Sequence, residues 1–176
     1  ETVSIVVFEN GAPLSLHVFS IGSSDITNDI ALGLKIPLEE AESLKINSDY
    51  GNFSKKKLDE IIEARLTDIF ELIENHLKKI KRNGLLPAGI IFTGGGSAIP
   101  MLENLSKETL NLPSKIGNGE IFGNTKTKVR DSSWFVAFGL CMSGKSSLIN
   151  NKNDNLPAFM KDISSGLKSM FKQLLP

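Results

Sequence analysis

The sequence predicts an incomplete α/β domain: a partial sheet with an antiparallel hairpin at one side and helices packed on it. Three observations carry that reading. Two strand-like segments at the N-terminus are joined by Glu9-Asn10-Gly11, a turn signal. A long amphipathic stretch follows them. A short apolar run then ends in three consecutive glycines, Gly94 to Gly96.

Length and composition narrow the function classes. At 176 residues the chain is one domain, or one domain and a tail. Twenty basic and twenty acidic side chains cancel, whereas a general nucleic-acid binder carries a clustered basic excess, so no nucleic-acid partner is expected. A single cysteine excludes a disulfide framework and a multi-cysteine zinc site. His17 and His76 lie far apart in sequence and are not expected to supply a metal cluster. The longest apolar run, Leu85 to Phe92, contains a proline and is too short to span a bilayer. No signal peptide is visible. Glu1 leads straight into strand-like residues, which suggests a chain that begins inside a larger fold.

Thr2 to Phe8 is β-branched and apolar, as a buried strand should be. Leu14 to Ile21 alternates apolar and polar residues, so it reads as the antiparallel partner, with His17 on its solvent side. Ser24 or Asp25 can cap a helix running to Leu34, with Ile26, Ile30 and Leu34 on one face. Pro37 suits the first turn of a second helix, to about Lys45. Residues 46–53 read as loop. Ser54 caps the longest helix, from about Lys55 to Lys81. Its stripe is Leu58, Ile61, Ile62, Leu66, Ile69, Phe70, Ile73, Leu77 and Ile80. Gly84 is its expected stop. Ala88 to Thr93 is a short buried strand. A helix over 99–110, a strand over 114–116, a loop over 117–131 and a helix from Trp134 to Met142 complete the domain. Cys141 reads as a buried small hydrophobe. Residues 143–157 are polar and rich in Asn, Ser and Lys, hence a linker.

The glycine run has the chemistry of a nucleotide site. Glycines remove Cβ atoms so that a flat ligand can approach the backbone, and a helix N-terminus just beyond them favours negative charge. The site lies after the C-terminal end of a strand, where α/β ligands bind. The bland alternative is a plain strand-to-helix turn, which needs fewer glycines. Gly144-Lys145-Ser146 is set aside as a P-loop because no strand precedes it. Glu42 and Lys45 share one helix face, and an exposed ion pair is the simplest reading of them alone. Arg65 and Asp68 likewise read as a solvated intrahelical pair. In the tail, Phe159, Met160, Ile163, Leu167, Met170, Phe171, Leu174 and Leu175 form one stripe at helical spacing. Five lysines against two aspartates follow from Lys145 onward. An apolar stripe flanked by lysines reads as an interfacial membrane helix rather than one docked on the domain.

Gly94-Gly95-Gly96-Ser97 after an apolar strand resembles the adenosine loop of the actin-like ATPases, whose core is ribonuclease H-like. Ile26 to Leu34 (ITNDIALGL), Pro37 to Glu42, Leu44-Lys45, Glu60 to Arg65 (EIIEAR) and Leu112-Pro113 resemble, in order, the bacterial cell-division actin homologue FtsA. The resemblance covers about residues 2–142. It implies half of an ATP cleft, with Gly94, Gly95, Gly96 and Ser97 holding the adenosine. Glu42 and Lys45, as the family's Glu-x-x-Lys, would reach ribose and adenine. Glu1 to Ser4 match the last four places of a phosphate loop of form Asp-x-Gly-x-Gly-Thr-Thr-Asp. Thr2 keeps its hydroxyl, while Glu1 stands for a glycine and Ser4 for an acid. ATP, with Mg in the intact protein, is the implied ligand. No ATPase activity is expected of this chain alone, because phosphoryl transfer needs phosphate loops and metal acids that it does not show.

The resemblance also implies a core subdomain from residues 1–21 and 74–144, a shortened helical insert over 22–73, a linker over 145–157 and an amphipathic helix over 158–176. Arg65 and Asp68 match positions implicated in binding the C-terminal peptide of the tubulin-like protein FtsZ. The implied role is a cytoplasmic protein, peripheral on the inner face of the cell membrane, that self-associates into filaments and tethers FtsZ during septum formation. Two rivals stand beside it: a PilM-like docking module of pilus assembly, and an actin-fold metabolite kinase.

Overall fold

The computed structural model describes residues 2–46, 53–117 and 132–150. It divides into two compact units, Glu1–Phe135 and Val136–Pro176.

The first unit opens with the expected hairpin. Strand β1 (Val3–Glu9) pairs antiparallel with β2 (Ala12–Phe19), and a register shift between Val7 and Phe8 marks a bulge. Asn10 and Gly11 both have positive φ, as a two-residue hairpin turn requires. The face of β2 is inverted relative to the alternation reading. Leu14, Leu16 and Val18 are exposed, whereas Ser15, His17 and Phe19 share the face that carries Val3, Ile5 and Val7 on β1. Alternation shows which side chains share a face, but not which face the helices cover. Here both rows of β1 are apolar, so the hairpin does not choose by itself.

Helix α1 (Ser23–Leu34) starts two or three residues earlier than a cap at Ser24 or Asp25 implies. Gly22 is its N-cap, and the Gly22 amide donates to Asp25 Oδ2 at 2.7 Å. Helix α2 spans Leu38–Ile46 and α3 spans Lys55–Lys79. The end of α3 is set by Lys81 rather than by Gly84. Lys81 takes φ +59, its amide donates to Lys78 O, and the Arg82 amide donates to Leu77 O at 2.8 Å. Those two bonds make a Schellman stop three residues before the glycine.

A short parallel sheet pairs β3 (Ile90–Phe92) with β4 (Ser114–Ile116). It is separate from the hairpin sheet. Strand β3 is shorter than Ala88 to Thr93 and not fully buried, since Ile91 is exposed. Helix α4 covers Leu102–Leu110, later than expected, because a 3-10 turn over Gly95–Ala98 comes first. Helix α3 lies between α1 and α4 and gives the core more buried apolar residues than any other described element, with Phe70 and Leu77 at 0% exposure. Val3, Ile5 and Phe19 from the hairpin and Ile90, Phe92 and Ile116 from the parallel sheet pack against the same cluster.

Helix α5 (Phe135–Asn150) makes up the described part of the second unit. It runs on through positions 143–150, where a linker was expected; serine and asparagine weaken a helix without ending one. Cys141 is exposed rather than buried, as are Val136, Leu140 and Met142. Gly139 completes a Gly-x-x-x-x-Gly-Lys-Ser pattern with Gly144 to Ser146, which the sequence reading passed over. It lies inside continuous α5. Its amides are therefore spent on helical hydrogen bonds, and it is no phosphate cradle. The shortened segment at 47–52 and all tail residues named above, from Phe159 to Leu175, lie outside the described residues.

Candidate functional site

The glycine turn forms where β3 hands over to α4. Gly94 takes φ +95, which a side-chain-bearing residue rarely adopts. A Cβ added at Gly94 or Gly95 would meet nothing within 4 Å among the described residues. The turn is closed from within by Ser97, which is buried and donates through both its amide (3.1 Å) and its hydroxyl (2.7 Å) to Gly94 O. Ser97 is thus the strut of the turn rather than the cap of a following helix. The N-terminus of α4 comes only at Leu102, so it does not abut the glycines.

On the other side of the turn, the start of α1 approaches closely. A Cβ on Gly96 would lie 3.4 Å from Ser23 Cβ. Ser23 belongs to a polar cluster that joins α1 to α2. Lys45 is 4% exposed, and its Nζ donates to Glu42 Oε2 (2.6 Å), Ser23 Oγ (2.7 Å), Thr27 Oγ1 (2.9 Å) and Ser23 O (3.2 Å). An ammonium has three protons, so four acceptors saturate it. Thr27 Oγ1 donates in turn to Glu42 Oε2. Burial acts to raise the Glu42 carboxyl, but the Lys45 ammonium and the Thr27 hydroxyl outweigh it and hold the group below its ordinary value. The Glu42 side chain remains 46% exposed. Glu42 and Lys45 are therefore not the exposed ion pair of the simplest reading. Ser23 and Thr27 were missed, because hydroxyls on a helix carry no signal until a buried charge is found beside them.

A cavity of about 200 Å³ opens beside this cluster, between Leu44, Lys45, Lys55, Leu58, Asp59 and Ile99. That is less than the roughly 300–1,000 Å³ of a typical small-molecule site. Thr2 stands exposed ahead of β1, on a separate element from the Lys45 cluster.

Arg65 does not belong chiefly to Asp68. Its guanidinium reaches across from α3 to α1 and grips Asp29 with two bonds, Nε to Oδ2 (2.5 Å) and Nη2 to Oδ1 (2.9 Å). The contact to Asp68 is longer, at 3.4 Å. Asp29 holds the guanidinium above its already high ordinary value, against the effect of burial. Asp29, Leu32, Ile61, Ala64, Arg65 and Asp68 line an open depression with Leu32 exposed at its edge. Asp29 was missed as a site residue because its partner is 36 positions away.

His17 and His76, 59 positions apart in sequence, meet in the fold. Their rings stack 4.9 Å apart where β2 passes α3. Among the described residues no group of three or more His, Cys, Asp and Glu could hold a metal ion. No described helix is long and apolar enough to cross a membrane.

Two solved structures share this architecture. The PilM-PilN type IV pilus biogenesis complex contains a chain that superposes with a TM-score of 0.67 at 22% identity, over 82% of this chain and 43% of that one. The ethanolamine utilization protein EutJ from Carboxydothermus hydrogenoformans gives 0.55 at 19%, over 65% and 39%. Likeness at those identities establishes the fold alone, and the fold is that of the actin-like ATPases. The family model for cell division protein FtsA matches residues 1–139, and the chain belongs to that family. FtsA of Buchnera aphidicola is 30% identical over 91% of this chain, and FtsA of Borreliella burgdorferi is 28% identical over 97%. The chain spans 46% and 48% of those relatives, so slightly under half of their length.

Proposed function

We propose that the protein containing this chain binds ATP and tethers FtsZ filaments to the inner face of the cytoplasmic membrane during septum formation. The observation that supports the nucleotide part is the saturated Lys45 cluster lying against the glycine turn. The Ser23 and Thr27 hydroxyls and the buried Lys45 ammonium hold α1 to α2 beside the turn, where a Cβ at Gly94 or Gly95 would meet nothing within 4 Å among the described residues. In this reading Gly94 to Gly96 face the adenosine, Ser97 braces the turn, and half-exposed Glu42 bonds the ribose. Lys45 acts through Glu42 and Ser23 rather than by touching the base. Thr2 contributes a hydroxyl toward phosphate. The small cavity suits a half-cleft, with phosphate and Mg contacts falling to the remainder of the protein.

The Asp29–Arg65–Asp68 depression, with exposed Leu32 beside it, suits a short peptide that carries both charge and an apolar residue, as the FtsZ C-terminal peptide would. Residues 145–157 would link the domain to the 158–176 helix, whose stripe from Phe159 to Leu175 would enter the bilayer interface. One such helix binds weakly, and self-association into filaments multiplies attachment, often by about 10²–10⁴.

The test is co-sedimentation with anionic vesicles, with and without residues 156–176. The tether predicts pelleting that vanishes on truncation. Supernatant for both forms calls for the tail on a forced oligomer, and failure there overturns the membrane role. Binding of FtsZ tail peptide, compared with a pilus-protein peptide, separates this reading from a pilus docking module.

A further inference from the structure

We propose that the stacked His17–His76 pair is a proton-sensitive latch that fastens the hairpin to α3 at neutral pH and releases it on acidification. Ser15, His17 and Phe19 alternate along β2 and therefore share one face. That face meets His76 in the last turn of α3. The two imidazoles lie 4.9 Å apart with their planes 16° from parallel. Phe19 meets both edge-on, at 4.7 Å from His17 and 6.3 Å from His76. Ser15 Oγ and His76 Nε2 are hydrogen-bonded at 2.9 Å.

Neutral rings stack without cost, and one proton can still be shared with the opposite π-face. A second proton puts like charges face to face. Among the described residues no ion pair joins either ring to a carboxylate. The charged groups that bear on His76 are His17 from β2 and Lys79 from its own helix, and the remaining partners, Ser15 and Phe19, are neutral. Partial burial, then His17 and Lys79, already hold the His76 imidazole below its ordinary value, so its neutral form is the one the fold favours.

Opening is local. The hairpin keeps a second tie to the segment after α3, the Arg82–Glu9 pair at 2.8 Å, and its inward row Val3, Ile5 and Val7 stays in the core cluster. Release therefore loosens β2 around Ser15 and His17, while Phe19 stays packed on the core cluster and the helices stay folded.

The test uses the full chain. Imidazole resonances are followed between about pH 7.5 and about pH 5, the range in which histidine changes charge. Amide exchange is measured at both ends and corrected for the intrinsic pH dependence of exchange. The latch predicts a His76 midpoint below the ordinary imidazole value, and His17→Gln moving that midpoint upward. It also predicts that protection of β2 amides falls at least about threefold on acidification while the Phe70 amide in α3 is unchanged. His17→Gln and His76→Asn should each abolish that loss. Independent titration of the two rings, an unmoved His76 midpoint in His17→Gln, or an equal loss of protection in both variants overturns the proposal. If a variant does not fold, the wild-type titration and exchange decide alone: a His76 midpoint not below the ordinary imidazole value, or loss at Phe70 together with β2, overturns it.

Discussion

Helices α1, α3 and α4 cover their large apolar side chains, Leu32 and Leu72 excepted, whereas the hairpin leaves Val6, Phe8, Leu14, Leu16 and Val18 in solvent. The hairpin is the more apolar of the two in sequence, so its exposure does not come from composition. The helices present one stripe each and need one neighbour. A strand with two apolar rows needs cover on both faces, and only the inward row receives it from the helices. The same residue type therefore carries stability in one place and an unfilled surface in the other.

The sharpest way to break that comparison is a pair of substitutions. Phe70→Ala should cost about 3–5 kcal/mol in urea denaturation, because the ring leaves a cavity in a fully buried site. Leu16→Ser, at 69% exposure, should cost under about 0.5 kcal/mol and should reduce self-association in light scattering. Equal losses would mean that the hairpin face is covered in solution.

A smaller effect is expected at the polar junction. Lys45→Met strips the Glu42 carboxylate and two hydroxyls of their donor, for a loss of about 1–3 kcal/mol. Its pH dependence identifies the cause. The Glu42 carboxyl sits below its ordinary 4.5 in the fold, so its contribution is present above that value and is lost as pH falls through the depressed one. Lys45→Met should remove this part of the acid sensitivity. Wild-type and variant stability curves that run parallel through acid would sink the assignment.

The smallest change concerns the α1–α3 clamp. Arg65→Lys keeps the charge but loses the two-bond grip on Asp29, for about 0.5–1 kcal/mol in the same denaturation assay. If FtsZ tail peptide binds the depression there, its affinity should fall by more than this stability change. A loss confined to stability would restrict Arg65 to holding the helices together.

The parts legible in sequence were those set within a few residues. The α3 stripe was readable because 3.6-residue spacing is local, and Leu58, Ile62, Leu66, Phe70 and Leu77 are all buried as read. The hairpin turn and the glycine turn were readable because Asn10, Gly11 and Gly94 tolerate positive φ. The end of α3 was missed, since a lysine took the left-handed position that glycine usually fills. The candidate site was half legible. Its glycines, Glu42 and Lys45 stood out, but Ser23, Thr27 and Asp29 acquire meaning only from partners 15 to 36 positions away.

By itself the sequence determined the elements, the register of one hairpin and the membership of the actin-like family, because spacing, turn residues and motif order are properties of the chain alone. The tertiary structure decided which face of β2 turns inward, that Lys45 is enclosed rather than exposed, that Arg65 grips Asp29 and that two distant histidines stack. Each of those depends on which surfaces α3 and α1 bring together. Side-chain charge and exposure follow from that packing, and no local pattern encodes it.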